Sequence, residues 1–175
     1  MGRFYASGRR KITRVKIFFV SESKRLSAGL TRLLGGEGFE ARRKLAIPLL
    51  TCDPQGTPRA ALLSFSEVRA LSPTRLAVAV SSGSRTEANL IRRRGATVLL
   101  LDAGAAVSIR SRAGKGRPSA SLPEKKLFPL TVISVKHDAP LEGEGGIALA
   151  NGPRFAGPSA EGIFSPSLFD ELGSI

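Results

Sequence analysis

The sequence contains no tryptophan and only one tyrosine, one cysteine, one histidine and one methionine among 175 residues. Cys52 cannot form a disulfide within the chain. Together with His137 it also supplies too few ligands for a Cys/His zinc site. Such cysteine usage suits a reducing cytoplasm, where we expect the protein. Long apolar runs are missing as well. The longest one near the start, Ile17-Phe18-Phe19-Val20, is too short for a signal-peptide core or a membrane span, so we expect neither export nor a membrane. Without tryptophan and with a single tyrosine, the aromatic stacking motifs of single-strand binders are not apparent. No Ser/His/Asp set, paired carboxylates or metal cluster stands out, so any difficult chemistry falls to a bound cofactor.

Glycine and proline, by contrast, are plentiful at 19 and 11 residues, which favours short strands and tight turns over a helix bundle. An apolar fraction of 42% and a charged fraction of 23% are those of one globular domain. The formal charge of +13 points towards nucleic acid, but its distribution argues against that partner. Residues 1–44 hold twelve Lys and Arg against three acids, whereas the remainder is only mildly basic. We therefore read residues 1–25 as a basic, disordered arm, 26–155 as the folded domain and 156–175 as a C-terminal tail. Non-specific contact with nucleic acid would belong to the arm.

Leu26, Leu30, Leu33 and Leu34 have helical spacing, ended by Gly35-Gly36. Residues 46–52 read as a buried strand, Asp53-Pro54-Gln55-Gly56 as a turn, and 60–66 as the returning strand. Residues 75–81 form a third strand. Ser84 and Glu87 then have the spacing of a capping box, opening a helix that runs to Arg94 with Gly95 as its cap. Further strands are expected at 97–101, 106–113 and 127–137, with a turn at 102–104. In the strand 106–113, Val107 and Ile109 oppose Arg110 and Arg112. Some six sequential strands, a short N-terminal helix and a helix after the third strand make a mainly β, Greek-key-like barrel.

The one segment that carries chemistry is Ser81-Ser82-Gly83-Ser84-Arg85-Thr86, between a strand and a helix start. A helix N-terminus offers unpaired N–H groups and partial positive charge. The hydroxyls and the Arg85 fork add donors, and Gly83 lets a ligand approach the backbone. Residue chemistry alone leaves two readings, a phosphate site and plain capping, because most capping boxes bind nothing. Cys52 in an apolar strand reads as packing, His137 as an exposed or structural residue, and Arg92-Arg93-Arg94 as a solvated helix end favoured by the dipole.

Several segments in order extend this picture: Leu50-Thr51-Cys52-Asp53, Gly56-Thr57-Pro58, Ala61-Leu62-Leu63, Gly83-Ser84-Arg85-Thr86 with Asn89-Leu90, and Val98-Leu99-Leu100. With Lys136-His137-Asp138-Ala139-Pro140, Glu144 and Asn151-Gly152-Pro153-Arg154-Phe155 they resemble the pyridoxamine-5′-phosphate-oxidase-like family of split β-barrels, over residues 26–155. The resemblance implies FMN bound at a homodimer interface, with its phosphate at Ser84, Arg85 and Thr86. Ser81, Ser82 and Asn89 would lie close by. Ala61, Leu62, Leu63 and Ser64 would run along the isoalloxazine, and Arg59 would be a candidate for a further phosphate ligand, as some members place one at the start of this strand. Val78, Val80, Leu99 and Leu100 also offer more apolar surface than one small barrel encloses, which again suggests a dimer.

The chain departs from the true oxidases in two ways. No Arg-rich pyridoxal-phosphate signature follows Asp138, and Thr86 replaces their lysine, so pyridoxamine phosphate oxidation is not expected. The leading reading is an FMN-dependent oxidoreductase acting on a small molecule. The alternatives are a non-catalytic flavin-binding module, a split barrel holding deazaflavin or haem, and a basic nucleic-acid-binding protein.

Overall fold

A computed structural model describes residues 22–102, 105–138, 151–157 and 162–175. Its strands are β1 (Glu22–Ser23), β2 (Ala46–Cys52), β3 (Pro58–Ser64), β4 (Val68–Ser72), β5 (Arg75–Ser81), β6 (Gly95–Asp102), β7 (Ala105–Ala113), β8 (Arg117–Pro118) and β9 (Lys125–Asp138). Three α-helices accompany them: α1 (Ala28–Leu34), α2 (Arg85–Arg92) and α3 (Pro166–Leu172). All pairings are antiparallel, in the order β3-β2-β6-β7-β9-β5-β4, with β1 and β8 also on β9. The curled sheet is the split barrel that the sequence implies.

β9 is the spine of this sheet. Its residues Lys125 to Thr131 pair with β5, and Leu130 to Asp138 pair with β7. A bulge opposite Arg110 and Ser111 lets Ile133 escape the ladder. Alternation along β7 is as expected, with Val107 and Ile109 inside and Arg110 and Arg112 outside. The inner faces of β2, β5, β6, β7 and β9 join Leu30 and Leu34 of α1 in one core that includes Ile47, Leu49, Val78, Val98, Ile109, Phe128 and Val135.

Five features differ from the sequence reading. Residues 65–67 are not strand. Ser64 ends β3 as the cap of a one-turn 3-10 helix, accepting from the backbone while Glu67 accepts from the Ser64 N–H at 2.7 Å. Next, β4 forms a hairpin with β5 that the sequence hides, because its alternation is only five residues long. α2 stops at Arg92, and Arg94, not Gly95, takes the left-handed conformation at φ 59°. Tertiary bonds hold Arg94 there: its Nε donates to the Ala113 carbonyl at 2.9 Å, and its carbonyl accepts from the Ala113 N–H at 2.7 Å.

Both chain ends supply the remaining differences. Residues 1–21 of the expected basic arm lie outside the described residues, and in its remainder Glu22 and Ser23 pair with Lys136 and Val135. Past residue 156, where the sequence shows little pattern, Ser165 caps α3 and Pro166 opens it. Leu168 and Leu172 of α3 cover Ala77, Ala79 and Leu127. This makes β5 buried on both faces, which is why residues 76–80 read as an unbroken apolar run. Val78, Val80 and Leu100 point into the main core and are buried within one copy, and Leu99 is half-buried, so the surplus surface expected at Val78, Val80 and Leu100 does not exist. Exposed large apolar side chains are instead Leu62, Ile91, Ile133 and Ile163. The expected turn at 102–104 lies partly, and Ala139, Pro140 and Glu144 lie wholly, outside the described residues.

Candidate functional site

Three side-chain contacts fix α2 against the sheet. The Asn89 amide donates to the buried Thr51 hydroxyl of β2 at 3.0 Å, the Lys126 ammonium of β9 meets Glu87 at 2.8 Å, and Arg93 donates to the Pro54 carbonyl. Leu90 adds a fully buried anchor. The helix start is thus held in place while its first turn stays open.

Ser84 caps that start, accepting from the Glu87 N–H at 3.1 Å. The reciprocal half of the capping box is shifted by one residue, since Glu87 accepts from the Gly83 N–H at 2.5 Å and not from that of Ser84. The Lys126 ammonium is the main reason that Glu87 is held below the usual carboxylate range. Burial opposes that lowering, and the Gly83 N–H assists it. Gly83 has φ 73° with open space where a Cβ would sit, so backbone conformation and not crowding selects glycine. Among the described residues, the backbone N–H groups of Arg85 and Thr86 have no acceptor, and the Ser82, Arg85 and Thr86 side chains have no partner.

Two clefts flank this turn. One, of about 260 Å³, is lined by Ala61, Leu62 and Leu63 of β3, Val80 and Ser81 of β5, and Ser84 and Thr86. Glu67, Lys125, Phe155 and Ile163 complete its described wall. The other, of about 310 Å³, is lined by Arg59, Arg85, Ala88, Asn89 and Arg92 with the turn Asp53-Pro54-Gln55. Arg59 is tied to Asp53 at 3.2 Å. Burial pushes the Asp53 carboxyl up, but the Thr57 N–H, the Arg59 guanidinium and the Gln55 N–H together hold it below its ordinary range.

β3 runs along both clefts. Among the described residues it pairs only with β2, and its outer edge carries a row of backbone donors and acceptors.

Of the residues singled out from the sequence, Ala61, Leu62, Leu63, Ser81, Ser84 and Thr86 come together in the first cleft, and Arg59, Arg85 and Asn89 in the second. Ser82 is exposed on the turn between them. Ser64 reaches neither: it is fully buried, with its hydroxyl 2.9 Å from that of Ser66. Lys125, Glu67, Phe155 and Ile163 escaped the sequence reading. Lys125 sits at the start of a long strand with no motif around it, and Phe155 and Ile163 lie in a segment without periodicity.

The uncharacterized protein YclD of Bacillus subtilis (strain 168) is 30% identical to this chain over 114 residues, which are 65% of this chain and 74% of YclD. This chain belongs to the YclD family. Solved structures share its fold. A Lactobacillus delbrueckii protein of the pyridoxamine 5′-phosphate oxidase kind superposes with TM-score 0.53 at 16% identity, over 66% of this chain and 97% of that one. HupZ of Group A Streptococcus superposes with TM-score 0.51 at 11% identity, over 73% of this chain and 99% of its own. The fold is the split barrel of the pyridoxamine-5′-phosphate-oxidase-like proteins. No protein-family model matches the chain. Among the described residues no three Cys, His, Asp or Glu side chains cluster as metal ligands, and no helix is long and apolar enough to cross a membrane.

Proposed function

We propose that the chain binds FMN and acts as an FMN-dependent oxidoreductase on a small molecule, as a homodimer. The carrying observation is the open first turn of α2, whose free N–H groups, unpartnered Arg85 and free hydroxyls stand where β3 passes with an unpaired edge. These donors suit a phosphate dianion. Apolar Ala61, Leu62 and Leu63 suit the face of a planar ring, and an unpaired strand edge suits its rim of acceptors and donors.

The residues present therefore fit the group that the fold family implies. Ser84, Arg85 and Thr86, with Ser82 and Arg59 alongside, hold the phosphate, and β3 holds the ring. The flavin itself supplies the redox chemistry. The chain's own part is to orient the ring against β3, to exclude water with Leu62, Phe155 and Ile163, and to leave the other side open to a substrate or a second copy. Support for flavin over plain capping comes from the two clefts meeting at this turn: a helix cap alone needs neither. Equilibrium dialysis of the purified protein against FMN tests the reading. One flavin per chain is expected, and no binding would overturn it.

A further inference from the structure

The first cleft contains an ion pair that phosphate binding does not use. Lys125 opens β9, and its ammonium is 2.6 Å from the Glu67 carboxylate and 3.2 Å from the Ser81 hydroxyl. Glu67 is almost wholly buried and has its second oxygen on the Ser64 N–H at 2.7 Å. The carboxylate is thus fixed by backbone, and it fixes the lysine in turn. Lys126, the next residue, is turned to Glu87 instead. Two of the three Lys125 protons have protein acceptors, and the ammonium still lines the cleft beside Ala61, Leu62, Leu63 and Val80. Holding a cation with a buried, backbone-anchored acid on the wall of a cleft that also carries Ala61, Leu62, Leu63, Val80, Phe155 and Ile163 costs desolvation on both partners. Surface solubility explains none of this arrangement.

We propose that Lys125, positioned by Glu67 and Ser81, presents its remaining N–H to the rim of the bound flavin ring and favours the reduced form. This rests on the flavin reading above. Two-electron reduction with the uptake of one proton adds one negative charge to a flavin ring, and a cation beside it stabilises that charge. Glu67 offsets part of the lysine's field, so the preference is moderate and is set by the balance between the two side chains. The fold therefore carries an adjustment of flavin potential that is separate from the phosphate site. Lys125 acts on the ring, and Glu67 acts through Lys125.

The test measures FMN affinity twice for each variant, once oxidised and once after anaerobic reduction with dithionite. Lys125→Met should bind oxidised FMN within about threefold of the unaltered chain and reduced FMN roughly tenfold more weakly, a potential lower by about 30 mV for a two-electron couple. Glu67→Gln keeps an acceptor for the Ser64 N–H and removes the countercharge, so its preference for reduced FMN should rise. Lys125→Arg should keep the preference of the unaltered chain. Equal loss of both affinities in Lys125→Met, or no change in their ratio, would overturn the proposal while leaving the flavin reading standing. Failure of the unaltered chain to bind FMN in either state would overturn both. Lys125→Met leaves the Glu67 carboxylate buried without its countercharge, so a lower Tm is expected, and both affinities are measured well below that Tm on folded protein. A ratio changed equally in Lys125→Arg, which keeps the charge, would assign the residue to packing.

Discussion

Replacing Glu171 should loosen the C-terminal helix on the barrel. Its carboxylate, only 12% exposed, accepts from Arg117 at 2.7 Å, the Ser119 hydroxyl at 2.6 Å, the Ala120 N–H at 2.8 Å, and the Ser121 N–H and hydroxyl at 3.0 and 2.7 Å. Hydrogen bonds to a charged group are each worth about 1.5–3 kcal/mol and do not add. Water can reach the exposed donors of Ala120 and Ser121 once the carboxylate is gone, but the buried Ser119 hydroxyl loses a strong acceptor. A net loss of about 2–3 kcal/mol is expected for Glu171→Ala, which lowers Tm by roughly 5–10 °C in a domain of this size.

The pH dependence gives a sharper signature. Burial pushes Glu171 up, but the hydroxyl and N–H donors of Ser119, Ala120 and Ser121 hold it far below the carboxylate range. A depressed folded-state pKa gives stability that is present above the unfolded value of about 4.3 and lost as pH falls through the folded value. Thermal unfolding of the unaltered chain and Glu171→Gln should therefore show a gap that is full at neutral pH and closes only well into the acid range. A constant gap from neutral pH into strong acid, or none at neutral pH, would refute the reasoning. Because Ile163 lines the cleft just before α3, the same variant should also weaken FMN binding.

Two further outcomes follow from the site. Arg85→Ala removes an exposed, unpartnered cation and should lower FMN affinity roughly ten- to a hundredfold, at about 1.5–3 kcal/mol for a charge-assisted bond, with Tm unchanged. Unaltered affinity in an FMN titration would remove Arg85 from the site. Sedimentation velocity at micromolar concentration should show a dimer with flavin bound, and a flavin-loaded monomer would contradict the shared-site arrangement.

Periodic or punctuated segments were legible in the sequence. β2 and β5 begin and end where their apolar runs do, and Ser84 caps α2 because its side chain acts on a residue three positions away. What stayed hidden depends on distant partners. The left-handed Arg94 needs Ala113, β4 needs β5, and α3 needs the outer face of β5. Surplus apolar surface was misread at Val78 and Val80 for the same reason, since the elements that cover them leave no local mark. The site was half legible. Its phosphate turn is a contiguous motif, whereas Lys125 and Glu67 meet only because β9 begins beside the turn that follows β3.

The measurement closest to the central claim compares FMN with riboflavin in parallel titrations of the unaltered protein. The two ligands share a ring and differ in the phosphate that the open turn of α2 is held to bind. With several donors on that phosphate at about 1.5–3 kcal/mol each, non-additively, FMN should bind at least about a hundredfold more tightly. Equal affinity would mean that Ser84, Arg85 and Thr86 are a helix cap and nothing more.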